Sequence, residues 1–192
     1  MNSRDENNTA WRRALRQEMA ARRVALADAE HAALSARIVE HARAALARPK
    51  IAAFCWPIKH EPDVRTLLES WRAAGVRAAL PVVIAEHEAL RFREWTPETP
   101  LAADRYGIPT PSAGDWLIPD LILLPLNGFD AAGYRLGYGG GYFDRTLAAL
   151  TPRPLAVGVG FETNRVASIR PQPHDQHLDW IITENGAFRP TA

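Results

Sequence analysis

Leu121-Ile122-Leu123-Leu124, followed a little later by Gly133-Tyr134-Arg135-Leu136-Gly137-Tyr138-Gly139-Gly140-Gly141-Tyr142-Phe143-Asp144-Arg145, decides how this chain folds. Four consecutive apolar residues read as a strand buried on both faces. Residues 142–150 read as a helix. A strand, a bend and a helix in that order form one unit of a parallel sheet. Glycines this dense cost conformational entropy in an ordinary element. Between a strand and a helix they can instead bring backbone N–H groups onto an anion. Arg135 and Arg145 add planar donor forks that suit phosphate or carboxylate. The competing reading is a tight turn packed against other backbone. The segment matches neither standard nucleotide fingerprint. It lacks the Gly-Lys-Ser/Thr of a Walker A loop, and position 142 is Tyr where a dinucleotide loop needs Gly.

Outward from this unit the same alternation continues. Residues 51–56, 78–85, 90–95, 155–160 and 178–183 read as strands, and 9–26, 35–46 and 64–74 as helices. The Pro- and Gly-rich residues 97–119 read as an ordered loop. The expected fold is α/β: three layers, with a mostly parallel central sheet flanked by helices, Rossmann-like without the dinucleotide fingerprint. Residues 9–188 form a single catalytic domain in this reading, between a flexible start at 1–8 and a short tail at 189–192. Ligands collect beyond the carboxyl ends of such strands. Residues 57–63, 127–144 and 160–165 all fall there.

Bulk properties narrow the classes. The 192 residues are 47% hydrophobic, enough for one packed domain. Lys and Arg total 23 against 22 acidic residues, so net charge makes no case for nucleic acid or an anionic membrane as partner. Cys55 is the only cysteine, which excludes an internal disulfide, and between Phe54 and Trp56 it reads as a packed thiol. No apolar run approaches the roughly 20 residues that span a bilayer. The expectation is a cytoplasmic protein, monomeric, with a homodimer left open.

Arg12 and Arg16 share one helical face, and Arg23 returns close to the same azimuth. The stripe is either a solvated face or one that reaches a bound polyanion. Glu61, just after the first strand, could accept a ligand N–H, and Lys59 could pair with it. His60 has nothing to fix its tautomer. Asp144 suits the first turn of a helix through the dipole alone, and it could also hold Mg²⁺ beside phosphate. Asp130 and Asp175 are further oxygen donors. His174-Asp175-Gln176-His177 is weak as a zinc motif. Arg135 is expected to be exposed in the bend. Trp56, Trp95, Tyr106, Tyr138 and Tyr142 could stack on a heterocycle or simply pack. The residues thus describe a small α/β enzyme for a phosphorylated ligand. ATP-dependent ligation and sugar-phosphate isomerisation both remain open.

The run from Pro125-Leu126-Asn127-Gly128-Phe129-Asp130 through Gly133-Tyr134-Arg135-Leu136-Gly137-Tyr138-Gly139-Gly140-Gly141-Tyr142-Phe143-Asp144 resembles the 5-formyltetrahydrofolate cyclo-ligase family, also called methenyltetrahydrofolate synthetase. The resemblance spans about residues 10–186, with Trp56-Pro57 through Glu61, Pro81, Trp95, Pro111 and Thr183-Glu184 in the expected order. It implies ATP-dependent closure of 5-formyltetrahydrofolate to 5,10-methenyltetrahydrofolate with Mg²⁺. It assigns ATP to Arg12, Arg16, Arg135, Gly137, Tyr138, Gly139, Gly140, Gly141, Tyr142 and Asp144. It assigns the folate to Trp56, Glu61, Trp95 and Tyr142, the metal to Asp144 with Asp175 as a second candidate, and the chemistry to Arg135, Tyr142 and Glu61. Two departures stand out. Gly140 replaces a Lys found in some relatives, and Leu126-Asn127-Gly128 replaces a small, apolar sequence. The alternatives are a sugar-phosphate isomerase or acyl-transfer enzyme on a related sheet, or a folate-binding protein without catalysis.

Overall fold

In the computed structural model, which describes residues 3–190, twelve strands and four α-helices alternate along the chain. The strands are β1 (Ile51–Ala53), β2 (Arg77–Val82), β3 (Arg91–Trp95), β4 (Leu101–Ala103), β5 (Pro109–Pro111), β6 (Trp116–Leu117), β7 (Leu121–Pro125), β8 (Gly128–Phe129), β9 (Arg135–Leu136), β10 (Leu155–Val159), β11 (Trp180–Thr183) and β12 (Gly186–Phe188). The helices are α1 (Ser3–Val24), α2 (Asp28–Ala45), α3 (Arg65–Ala73) and α4 (Tyr142–Ala149), and a 3-10 turn, Glu162–Asn164, follows β10.

Eight strands form one sheet in the order β12-β11-β10-β7-β1-β2-β3-β6. β11, β10, β7, β1 and β2 are parallel neighbours, with registers such as Ala52↔Ala78, Ala53↔Ile122 and Val157↔Leu123. β12, β3 and β6 add antiparallel margins. The chain winds from β1 to β2 in one direction, then returns to β7 and continues the other way through β10 and β11. The direction changes between β1 and β7. In sheets of this kind, ligands bind beyond the carboxyl ends of the strands at such a reversal.

Side-chain alternation builds the layers. Leu121 and Leu123 point to the face covered by α2 and α3, where they meet Ile38, Val39, Leu67, Leu68 and Trp71. Ile122 and Leu124 point to the opposite face, against Leu147 of α4. All four are at most 2% exposed. Burying each stabilises the fold by roughly 1.5–3 kcal/mol. This is the expected three-layer α/β arrangement.

Element boundaries differ from the sequence reading where local chemistry competes. Residues 97–119 are not a plain loop: β4 and β5 pair as a separate hairpin and β6 joins the sheet margin. Pro109 and Pro111 are tolerated because β5 has a partner on one side only. α2 starts at Asp28 rather than 35, with Asp28 and Glu30 in its first turn, where acids favour the helix dipole. α1 runs from Ser3, so residues 3–8 of the expected flexible start are helical. Residues 1 and 2, and 191 and 192 of the expected tail, lie outside the described residues.

Candidate active site

Arg12, Leu15, Met19 and Arg23 of α1 are buried, whereas Arg13 and Arg22 are exposed. The basic stripe therefore points inward with the apolar stripe. Leu15 and Met19 pack on Leu136 and Ile169, and this contact lays the helix across the carboxyl-end loops. Each arginine of the stripe, with Arg16 half-buried, then meets a different partner. Arg12 grips Asp175 with both terminal nitrogens, at 2.8 and 3.1 Å. Arg16 Nε donates to Gly137 O at 2.8 Å. Arg23 donates from Nε to Lys59 O at 2.8 Å, from Nη1 to Asn127 Oδ1 at 3.0 Å and from Nη2 to the Tyr138 hydroxyl at 3.2 Å.

The glycine bend does not follow β7 directly. A small hairpin, β8–β9, intervenes, closed by Asp130, whose carboxylate accepts from the N–H groups of Tyr134 and Ile169. Asp130 is a structural acid. Gly139 and Gly141 have φ of +98° and +65°, left-handed values that favour glycine. The Arg16 guanidinium lies against Gly139, where a Cβ would be in ordinary contact with it, so the positive φ rather than crowding accounts for glycine there. Arg145 Nη2 donates to Gly140 O at 2.6 Å from the other side. Burial first, and the nearby Arg12 charge second, lower the Arg16 pKa. A bound anion would relieve both effects.

Arg135 corrects an expectation. It is 6% exposed, not solvated. β9 points it under the bend, where Nη2 donates to Asp144 Oδ1 at 3.2 Å. Its Nε is buried without a hydrogen-bond partner among the described residues. Asp144 Oδ1 also accepts from Gln176 N at 3.0 Å.

Glu61 stands in the turn after β1, beside a small cavity it shares with Pro125 of β7. It is only 4% exposed. Oε1 accepts from the Tyr138 hydroxyl at 2.5 Å and Oε2 from Ile58 N at 3.0 Å. Burial raises its pKa above the usual carboxylate range, and the Tyr138 and Ile58 hydrogen bonds and the charges of Arg23 and Lys59 offset this in part. The turn that delivers Glu61 is strained, since Lys59 and His60 have φ of +50° and +55°. Each such residue costs roughly 1 kcal/mol or more. Cys55 lines a small cavity with Glu61, Pro57, Leu123 and Val159, and burial pushes its thiol up, away from a reactive thiolate.

Tyr142 opens α4, and its hydroxyl lies 2.9 Å from that of Tyr106, at the tip of the β4–β5 hairpin. Trp56 stands between Arg65 and Trp95, with ring centroids 6.2 Å apart for the two indoles. Trp95 is a core residue, 6% exposed and packed edge-on to Phe54. The His174–His177 segment gathers no metal cluster. Asp175 is committed to Arg12 and Gln172 N, and His177 packs edge-on to Tyr134. Among the described residues no three His, Cys, Asp or Glu side chains come together to hold a metal.

The three expected loop segments do converge: Tyr138 meets Glu61, and Asn164 Nδ2 donates to Asn127 O at 2.9 Å. This geometry places the glycine bend beside a buried carboxylate. A model of the 5-formyltetrahydrofolate cyclo-ligase family matches residues 8–184. The chain belongs to that family. It is 30% identical to the 5-formyltetrahydrofolate cyclo-ligase of Mycoplasma pneumoniae over 175 residues, 89% of this chain and 97% of the relative. The Escherichia coli K12 5-formyltetrahydrofolate cyclo-ligase is 37% identical over 130 residues, 64% of this chain and 71% of the relative. Among solved structures, the Aquifex aeolicus 5,10-methenyltetrahydrofolate synthetase superposes with a TM-score of 0.80 at 27% identity, covering 94% of this chain and 93% of that one. The Mycoplasma pneumoniae 5,10-methenyltetrahydrofolate synthetase gives 0.75 at 28% identity, covering 90% and 98%.

Within this family frame, sequence reasoning missed how Arg23, Asn127 and Asn164 join the site. The azimuth of Arg23 was the available signal, but nothing in the sequence tells an inward arginine from an outward one. The two asparagines carry no spacing that marks them.

Proposed function

We infer that this protein closes 5-formyltetrahydrofolate to 5,10-methenyltetrahydrofolate, using ATP and releasing ADP and phosphate. The observation that carries the reading is the family match over residues 8–184, on a chain whose glycine bend is hydrogen-bonded to the carboxylate after β1. A formamide oxygen is a poor leaving group. Transfer of the γ-phosphoryl group onto that oxygen breaks its bond to ADP and forms an O–P bond. N10 of the same folate then attacks the activated carbon and gives up its proton, and the C–O bond breaks with loss of phosphate, which can carry that proton away. The attacking nitrogen is already tethered, so proximity lowers the barrier.

The protein's task is positioning and charge neutralisation. Arg16 and the backbone of residues 137–141 would receive the phosphates, with Tyr138 and Tyr142 flanking them. Arg12 would join by sharing or exchanging Asp175. Arg135 would steady the transferring group from beneath the bend through its unpartnered Nε. Glu61 would accept N–H groups of the pterin, Trp56 would wall that pocket with Trp95 behind it, and Tyr142 would position the formyl end. Magnesium, when bound, neutralises phosphate charge. Asp144 fits it as the single protein carboxylate, because Mg²⁺ keeps several waters and takes phosphate oxygens. Asp175 is left out of that role, since both its oxygens are engaged by Arg12. This reading is of a cytoplasmic enzyme that works as a monomer, with a homodimer left open. Among the described residues no helix is long and apolar enough to cross a membrane.

The test is direct. Purified protein with 5-formyltetrahydrofolate, ATP and Mg²⁺ should develop the methenyl chromophore and release ADP in step. Absence of both products across pH and magnesium concentration, or ATP-independent turnover of a sugar phosphate, overturns the assignment.

A further inference from the structure

We propose that Arg23 is a positioning residue for Glu61, acting through the turn at Lys59 and His60; the folate side of this proposal rests on the function inferred above. Arg23 is among the largest fully buried side chains of the described residues and is 0% exposed. A guanidinium is not placed there by the hydrophobic effect, since burying it unpaired would be costly. Its donors instead go to three segments at once: Lys59 O after β1, Asn127 Oδ1 after β7, and the Tyr138 hydroxyl in the glycine bend.

The Lys59 contact is the informative one. Lys59 and His60 are consecutive non-glycine residues at positive φ. Such a conformation persists only where the surroundings over-determine it. Arg23 Nε holds the Lys59 carbonyl at 2.8 Å, the Glu61 N–H returns to Ile58 O at 3.0 Å, and His31 Nε2 lies 2.9 Å from Glu61 O. This closed turn aims the Glu61 carboxylate back over Ile58 N and toward Tyr138. Without Arg23 the turn relaxes toward ordinary φ values and the carboxylate loses its aim. Arg23 touches no reacting atom in this arrangement.

Arg23→Met keeps the volume of the side chain, and Arg23→Lys keeps its charge. Both should raise the dissociation constant for 5-formyltetrahydrofolate about tenfold, the loss expected for a charge-assisted hydrogen bond. Affinity for a non-hydrolysable ATP analogue should fall by clearly less than folate affinity, because only one of the three Arg23 partners, the Tyr138 hydroxyl, belongs to the glycine bend. Glycine adopts positive φ freely, so adding His60→Gly to either variant should restore most of the folate affinity. A merely structural clamp on α1 predicts something else: both ligands weaken together, and His60→Gly repairs nothing. That result, or unchanged folate affinity in a folded Arg23 variant, overturns the proposal. Should Arg23→Lys fail to fold, the Met variant carries the test alone, because apolar replacements of buried ions are commonly tolerated. Hydrogen exchange at the Glu61 amide gives a readout independent of folate. It should quicken in Arg23→Met and slow again with His60→Gly. If the wild type binds no 5-formyltetrahydrofolate, the inferred function falls, and unchanged Glu61 exchange would sink the positioning role separately.

Discussion

The Tyr138 hydroxyl donates to Glu61 Oε1 at 2.5 Å, so the glycine bend and the turn after β1 meet in one hydrogen bond. The Tyr138 residue is 45% exposed while Glu61 is 4% exposed. The ring thus lies at the surface and only its hydroxyl reaches the buried carboxylate. Burial, and then the Glu61 charge, push the phenol well above its ordinary range, which keeps it a donor at neutral pH. The candidate phosphate cradle and the candidate folate carboxylate are one connected unit.

Glu61 should give the protein an unusual pH signature. Its pKa is raised in the fold, chiefly by burial. A carboxyl group raised on folding contributes stability below its unfolded pKa of about 4.3 and loses that contribution as pH rises through the folded value. Glu61→Gln cannot titrate. Its melting temperature minus that of the wild type should therefore grow between about pH 4 and pH 7, while folate turnover falls. Paired thermal melts at the two ends of this window check it; a constant difference would count against the assignment.

Asp175 should behave in the opposite sense. Burial works against its charged form, but the Arg12 hydrogen bonds, the Gln172 N–H and the Arg12 charge outweigh it and lower the pKa. Its contribution is present above the ordinary aspartate pKa and is lost as pH falls through the folded value. Side-chain exposures of 7% for Arg12 and 5% for Asp175 mark a buried pair. Asp175→Asn should cost roughly 3 kcal/mol at neutral pH, because Arg12 is left without its counter-charge. Urea midpoints at neutral and acid pH measure this. ATP with Mg²⁺ should stabilise the variant more than the wild type if phosphate can take up Arg12.

Much of this architecture was legible in the residues. The parallel core was readable because each central strand is an apolar run of the right length, and the sheet buries both faces of Leu121–Pro125. β4, β5 and β6 were hidden, since proline and glycine look like loop and an edge hairpin tolerates them. β8 and β9 are two residues each, too short to show a period. The glycine bend, Glu61 and the arginine stripe could be found from motif and spacing. Their pairings could not, because hydrogen bonds such as Arg12 to Asp175 span 163 positions of chain. The burial of Arg135 was likewise invisible. Arg135 and Leu136 are adjacent in β9, yet both are buried, one against Asp144 and the other against Met19 and Leu15.

Gly140 should be required by Tyr142. A Cβ at Gly140 would lie 2.8 Å from Tyr142 Cδ2, too close for the ring to stay in place. Gly140→Ala should displace Tyr142 and break its hydroxyl contact with Tyr106. The expected result is a higher KM for 5-formyltetrahydrofolate with a smaller change in KM for ATP. Tyr106→Phe removes the same hydroxyl contact without crowding the bend and should reproduce part of the loss. Unchanged folate kinetics in Gly140→Ala would remove Tyr142 from the substrate pocket. It would also leave the absence of a lysine at Gly140 without a steric reason.

Arg135→Ala should cost stability as well as ATP use. Arg135 is buried and bonded to Asp144, whose side chain is itself only 14% exposed. Removing the guanidinium empties the space beneath the bend and leaves Asp144 with Gln176 N as its remaining contact here. The destabilisation should be about 2 kcal/mol, in the range for breaking a partly buried charged hydrogen bond. Asp144→Asn in the Arg135→Ala background should recover part of this, since it removes the stranded charge. The same double variant should recover no turnover, because it lacks both the cation proposed to steady the transferring phosphoryl group and the carboxylate proposed for magnesium. Denaturant melts and kinetics on the two single variants and the double separate the effects. If Asp144→Asn restores ATP turnover together with stability, Arg135 serves the fold alone and its place in phosphoryl transfer is wrong.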